Sequence, residues 1–447
     1  MNKQTLNTLL SATFLAGFAF FPQIGKTENV GSRIKKIEQE LSLLKREKEV
    51  EQEKKDANTG KFANVELGKK GLKISSEDKK YELSLNGYFQ FDYRSFLDDK
   101  TGRDEFLSRR LRPVLQFKAN DASFRLMPEF AGSSTRVFDA HADYKFYDSL
   151  QLRIGKFKPP LSLERLQSST DLFFVERGHA TNLAPNRDIG FQIYGQPIVD
   201  QIEYQIGVFN GNADLANTDS DDDNKKDIFA RIFTHPFKEG KYLLLRGLGI
   251  GIAASKGERE GSSTKPILGD YRTPGQQAFF KYKTNVFAEG THQRLYPQGY
   301  WFYNNFGLVA EYATSKQNVK LGSLTDELNH KAYNLEASYV LTGEDINFKG
   351  GVKPAKDFNP KENGYGAFEV VGRVGETKID KKSFGTFADS SSSAKDAKSY
   401  GGGVNWYLNE NVKVSADYDF TTFDKGAALN KDRPDEKAIL SRVQFKF

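Results

Sequence analysis

The sequence predicts an all-β protein: a transmembrane antiparallel β-barrel of sixteen strands, with eighteen as the alternative count, preceded by a short N-terminal coiled-coil helix. Three observations carry this expectation. The first is alternation. Tyr81, Leu83, Leu85, Gly87, Phe89, Phe91 and Tyr93 form one series, and Glu82, Ser84, Asn86, Tyr88, Gln90, Asp92 and Arg94 the other, which marks a long strand with one apolar and one polar face. The second is composition: 36 Phe, 20 Tyr and 39 Gly lie in a 447-residue chain that is 28% charged, with mean hydropathy -0.61. A helical membrane bundle needs repeated apolar stretches of roughly 20 residues, which this chain lacks. The third is strand length. Soluble sandwiches use strands of about 5 to 6 residues, whereas these run to about 9 to 11 or more with Tyr and Phe at their ends.

The elements follow in chain order. Lys3 precedes a mainly apolar run from Leu6 to Phe21 containing the small-x-small triplet Gly17-Phe18-Ala19, the layout of a secretory signal peptide over residues 1–19. A single anchor helix is the competing reading, weakened by a run that is short for a span. An exported chain with no second apolar stretch can span a membrane only as a β-barrel, the other structure that satisfies its own backbone in lipid. Residues 27–55 read as a helix in which Val30, Ile34, Ile37, Leu41 and Leu44 recur at intervals of four and three beside Glu38, Glu40, Lys45 and Glu47. That stripe is a coiled-coil seam of about two heptads, and Ile at both kinds of core position leans toward three strands; a solvated charged helix is the alternative. Residues 56–80 read as a polar linker and 81–447 as the barrel.

Within the barrel, strands are expected at 81–94, 106–119, 122–131, 135–147, 149–156, 187–196, 200–210, 226–235, 244–256, 291–303, 305–315, 331–342, 364–376, 398–409, 411–423 and 436–447. Tight connections at Asn120-Asp121, Tyr147-Asp148-Ser149, Pro197-Ile198-Val199, Asn304-Asn305 and Asn409-Glu410 alternate with mostly longer polar ones. Short periplasmic turns and long external loops then set the strand direction. The parity of sixteen holds if the aromatic run from Gln276 to Lys283 belongs to a long external loop, and it requires a long periplasmic turn at 343–363.

The polar faces read as the lining of a pore. Leu111, Pro113, Leu115 and Phe117 take the outward register of the second strand, sending Arg110, Arg112, Gln116 and Lys118 inward; the same rule turns Arg125, Lys145, Arg153, Arg231 and Arg373 into the lumen. Asp139, Asp143, Glu203, Glu311 and Glu369 share that face, so most of these charges are expected to pair along the wall. The excess of Arg in the first half points to small anions, because a low-dielectric channel focuses the field on permeating ions and guanidinium forks match phosphate or carboxylate. Residues 156–187 form a connection too long and too apolar for an ordinary surface loop.

Several motifs in this region carry a resemblance. Arg153-Ile154-Gly155-Lys156-Phe157-Lys158-Pro159-Pro160-Leu161-Ser162-Leu163-Glu164, then Ser168-Ser169, Glu176-Arg177 and Ala184-Pro185-Asn186-Arg187-Asp188-Ile189-Gly190, together with Arg109-Arg110-Leu111-Arg112, Tyr339-Val340-Leu341-Thr342-Gly343-Glu344, Ala367-Phe368-Glu369, Asn405-Trp406-Tyr407 and the terminal Phe447, make the chain resemble the phosphate-selective porin O and P family. The resemblance runs from about residue 81 to the end. It implies a homotrimeric, sixteen-stranded channel in the outer membrane, in contact with its lipid, whose loop 156–187 folds inward and narrows the pore around an anion site. By that likeness Arg165, Ser168 and Ser169 occupy the constriction, and Arg109 and Arg110 match a pair of arginines opposite the loop. Alternation alone favours Arg110 as the inward member. Tyr88 stands where the family often has Arg, which implies one cation fewer at the site.

Other chemistry finds little footing. With no Cys, thiol nucleophiles, disulfides and cysteine-held metals are excluded, and five His leave little room for a histidine cage. No G-x-S-x-G, H-E-x-x-H or Walker loop occurs, so no catalytic residue, metal site, cofactor or nucleic-acid partner is expected. Gly247, Gly249 and Gly251 read as small lumen-facing residues of a strand, and Asp219, Asp221, Asp222 and Asp223 as a solvated loop. The sequence thus points to passive diffusion of phosphate or similar small anions, against the alternative of a non-channel adhesin or envelope scaffold.

Overall fold

The computed structural model describes residues 30–58, 63–97 and 102–447. The signal sequence expected at 1–19 lies outside the described residues. The chain divides into two units, Met1–Phe62 and Ala63–Phe447.

The described part of the first unit is one helix, α1 (Val30–Asn58), which at 1.5 Å per residue is about 43 Å long. It runs three residues past the end expected from the heptads. Ile34, Ile37, Leu41 and Leu44 are each more than half exposed, so within one chain the apolar seam is unburied.

The second unit is built on strands β1 (Ala63–Gly68), β2 (Gly71–Ser76), β3 (Tyr81–Phe96), β4 (Glu105–Ala119), β5 (Ala122–Glu129), β6 (Arg136–Tyr147), β7 (Leu150–Phe157), β8 (Asp188–Ile198), β9 (Ile202–Phe209), β10 (Asp227–Thr234) and β11 (Leu248–Glu260). Then follow β12 (Tyr271–Arg272), β13 (Ala278–Phe280), β14 (Phe287–Tyr303), β15 (Phe306–Leu321), β16 (Leu324–Val340), β17 (Ala367–Lys378), β18 (Ala394–Tyr407), β19 (Val412–Ala427), β20 (Lys431–Asp432) and β21 (Glu436–Lys446). Setting aside the hairpin β1–β2 and the short β12, β13 and β20, the remaining sixteen pair antiparallel, each with its neighbour in sequence. The sheet closes where β21 meets β3, from Ala438 opposite Phe96 to Lys446 opposite Tyr88. Closure leaves no unpaired barrel edge, which a sheet in lipid requires.

The alternation does what was expected of it. Phe89, Phe91, Leu115, Phe117, Ile154, Phe191, Ile193, Ile232, Ile250, Ile252 and Leu335 are exposed on the outer face. Gln90, Arg110, Arg112, Asp139, Gln192, Glu311 and Asn405 are buried on the inner one. At the short-turn end Trp301 stacks on Tyr303 and Phe368 on Trp406, part of an aromatic rim like those that mark the membrane boundary of such barrels. In β11, Gly249 and Gly251 are small because Phe233 lies over them: a Cβ on either would come within 2.6 Å of that ring.

Two expectations need correction. The segment 56–80 is not only a linker: its β2 pairs with the start of β3, Leu72 opposite Leu85 and Ile74 opposite Leu83, below the point where β21 ends. Its Lys and Glu content hid a hairpin whose turn needs Gly71, at φ +87. The connection placed between 315 and 331 is likewise no loop. β15 and β16 run on as a hairpin to a turn after Leu321, pairing Lys316 with Asn329 and Lys320 with Thr325. Their outer halves bear polar residues on both faces, which erases the period-two signal there.

Candidate functional site

Part of the lumen is filled. The connection between β7 and β8 turns inward at Pro159-Pro160 and forms a single helical turn, α2 (Leu163–Leu166), capped by Ser162, whose Oγ accepts from the Arg165 amide at 3.2 Å and donates to Glu311 at 3.0 Å. Further on, the segment lies along the wall made by β15 to β19. Lys413 donates to the Leu172 carbonyl at 3.0 Å, Asn405 to that of Phe173 at 2.8 Å and Arg373 to that of Glu176 at 2.7 Å. His179 bridges Thr377 at 3.0 Å and Ser399 at 2.7 Å. Burial and the nearby Arg373 push its imidazole down to about 3, so it sits there neutral. Leu161 and Leu183 complete an aromatic cluster inside the barrel with Phe157, Phe209, Phe229, Tyr271, Phe279, Phe280 and Tyr296. The aromatic run 276–283 therefore does lie in a loop, as the parity demanded, and that loop folds into the lumen.

What stays open is a cavity of about 690 Å³ against the inner faces of β3 to β9. Its lining holds eleven Lys or Arg against four Asp or Glu. At the long-loop end a second cavity of about 340 Å³ shares Arg109, Arg272 and Gln276 with it and adds Arg94.

The expected site residues divide in two. Arg109, Arg110, Arg112, Arg125, Arg153, Arg165, Ser168 and Ser169 all line the main cavity. Arg231, Arg373 and Lys145 are not among its lining residues. Arg231 is buried against Gln298, at 3.0 Å, and Glu203, at 3.7 Å. The Arg373 side chain has no exposure and is bound by Asp419 at 2.9 Å and Glu336 at 3.4 Å. Lys145 is about half exposed near the short-turn end, paired with Asp148 at 2.6 Å. Alternation finds the inward face and says nothing of where a loop will cover it. The acidic loop is tied to lysines, Asp221 to Lys226 at 2.6 Å and Asp222 to Lys265 at 3.2 Å.

Both members of the arginine pair reach the lumen, because a bulge suspends the alternation. Gln90 pairs with Arg110 but Phe91 with Ser108, leaving Arg109 as the extra residue of β4. A second bulge in β6 leaves Phe138 unpaired between Val137 and Asp139. Phe138 turns into the cavity, and the guanidinium groups of Arg112 and Arg187 lie over its ring at 3.9 and 4.9 Å. The Tyr88 hydroxyl accepts from Arg112 at 2.9 Å and from Ser169 at 3.0 Å, linking the wall to the loop.

Sequence reasoning assigned no site role to Lys158, Glu176, Arg177, Arg187 or Arg272, all of which line the cavity. The first four stood inside the quoted motifs, yet an aperiodic loop offers no face rule to orient them. Burial pushes Arg165 down to about 9, with Arg177 and Arg187 adding to the effect. Burial likewise lowers Arg177 to about 10, assisted by Arg187, and Lys158 well below its usual range, assisted by Arg187 and Arg177. These cations are packed closely enough to repel one another, an arrangement that favours an anion among them.

The chain matches the family model described as phosphate-selective porin O and P over residues 83–447. Porin O of Pseudomonas aeruginosa is 27% identical over 411 residues, spanning 85% of this chain and 91% of that protein. Among solved structures, the outer membrane channel DcaP of Acinetobacter baumannii is similar at TM-score 0.55 and 9% identity, covering 83% of this chain and 99% of that one. An anion-selective porin from Comamonas acidovorans is similar at TM-score 0.51 and 12% identity, covering 82% and 100%. The two structural likenesses concern the barrel fold.

Proposed function

Because this chain belongs to the phosphate-selective porin O and P family, and so forms a channel of the outer membrane, we propose that it passes small anions through the cationic cavity beside the inward loop, with phosphate as the preferred solute and a homotrimer as the working assembly. The observation that carries this reading is the excess of Lys and Arg over Asp and Glu in the lining of the open route. Charge of one sign in a narrow low-dielectric passage raises the local concentration of counter-ions and repels co-ions. Arg165, Ser168 and Ser169 supply a guanidinium and two hydroxyls on the loop side, and Arg109, Arg110 and Arg112 face them from the wall.

Reversal potentials of the purified protein in a planar bilayer under a potassium chloride gradient test the general reading. Anion preference is expected, and cation preference refutes it. The phosphate reading predicts that millimolar phosphate blocks the chloride current and that Arg165→Ala weakens the block. A wild-type channel that phosphate leaves unblocked refutes the narrower reading alone.

A further inference from the structure

The arginine pair is not vacant. Glu176, on the inward loop and 3% exposed, sits among four guanidinium groups. Arg109 forks it, with Nη2 on Oε2 at 3.1 Å; Arg110 reaches Oε2 at 3.4 Å, Arg442 Oε1 at 3.3 Å and Arg94 Oε1 at 3.7 Å. Burial opposes its ionisation, yet Arg109, Arg110 and Arg442 hold the carboxyl well below the usual range. Arg442 also has Asp92 at 2.7 Å, and Arg94 has Glu105 at 3.3 Å. Among the described residues Arg109 and Arg110 have no second carboxylate; the other partner of Arg110 is the neutral Gln90, at 2.6 Å.

Three lining cations of the inward loop itself differ in kind, and like Lys118 and Arg272 on other elements they form no ion pair among the described residues. Lys158 donates to the carbonyls of Leu166 at 3.2 Å and Gln167 at 2.9 Å. Arg177 donates to those of Glu164 at 3.0 Å and Gln167 at 2.8 Å. Arg165 donates to that of Thr181 at 2.8 Å, and its Nε, in a side chain more than nine-tenths buried, has no hydrogen-bond partner. Among the described residues none of the three has a carboxylate at ion-pair distance. Their hydrogen bonds fix position while leaving the charge uncancelled.

We propose that Glu176 is a resident counter-anion: it holds the seat at Arg109 and Arg110 that a permeating oxyanion would otherwise take, and so hands recognition of permeant anions to Lys158, Arg165 and Arg177. The inference rests on the anion-channel reading above and names which of its cations do the selecting. Its physical logic is that of conduction, since a site must bind strongly enough to fill and weakly enough to empty. Four guanidinium groups around one free oxyanion would hold it too long, and a tethered carboxylate satisfies them permanently.

The test is phosphate block of chloride current in single channels of the full-length protein. Glu176→Gln keeps the side-chain shape and removes the charge, and the block is expected to tighten by about ten-fold or more, since one unit charge about 4 Å away changes binding about five-fold even at the dielectric of water and far more at lower dielectric. Adding Arg110→Gln to Glu176→Gln is expected to abolish that gain. Lys158→Gln, with Glu176 intact, is expected to weaken the block about ten-fold and by more than Arg110→Gln does. If Glu176→Gln disrupts the loop, the comparison of Lys158→Gln with Arg110→Gln still decides. A block weakened at least as much by Arg110→Gln as by Lys158→Gln overturns the assignment. A wild-type channel without anion preference or phosphate block instead refutes the channel reading on which it rests.

Discussion

Removing the Arg373 guanidinium leaves Asp419 and Glu336 facing each other in the wall with no cation between them. Both carboxylates are buried, and Arg373 also donates to the Glu176 carbonyl of the inward loop at 2.7 Å. Breaking a buried ion pair from one side costs about 3–5 kcal/mol. Arg373→Ala is therefore expected to lower barrel stability by about that amount, read from the denaturant midpoint of the unfolding mobility shift on gels. Lys145→Ala removes an exposed pair with Asp148 and is expected to change stability by no more than about 1 kcal/mol. Equal effects would show that burial is not what separates them. Both residues follow from the same period-two rule, which shows how far single residues were legible. Inward direction could be read from the sequence, but cover by a loop could not, and neither could the bulge that turns Arg109 inward beside Arg110.

At the scale of elements, the inward loop has its own titration. His179 titrates near 3 when docked, against an ordinary 6.5. Between those values a released loop binds a proton that the docked loop refuses. Docking is thus at full strength above 6.5 and loses about 1.4 kcal/mol for each unit of acidification below it. Glu164 opposes this. Burial, with Glu336 and Glu311 nearby, raises its carboxyl well above the usual range, so its contribution weakens docking as pH rises from about 4.5. His179→Gln separates the two. Open-channel closures in wild type are expected to grow more frequent from pH 6.5 toward 4, and the substituted channel should lose that rise. Identical profiles would remove His179 from the account. The loop itself was legible, because about thirty residues without strand periodicity, and with so much apolar content, do not fit a surface connection. The outer halves of β15 and β16 were not, because outside lipid a strand carries polar residues on both faces; the hairpin β1–β2 does alternate, Val65 and Leu67 against Asn64 and Glu66, but its strands are only six residues long and lie in a segment rich in Lys and Glu.

For the whole molecule, the exposed seam of α1 bears on assembly. Ile34, Ile37, Leu41 and Leu44 repeat at coiled-coil spacing and are unburied within one chain. Two heptads form a marginal coil between separate helices. If the barrels stand side by side as in the proposed trimer, the same heptads act at an effective concentration near the millimolar range. The seam is thus expected to strengthen a trimer rather than to create one, and to leave permeation untouched, since every residue lining the two cavities belongs to residues 63–447. Deleting residues 27–58 should lower the temperature at which trimers dissociate in detergent, while the anion preference in a bilayer stays that of the full chain. Native mass of the extracted full-length protein supplies the control. A full-length monomer would remove the seam argument altogether, and a trimer equally resistant with and without the helix would leave the barrel walls alone as its source.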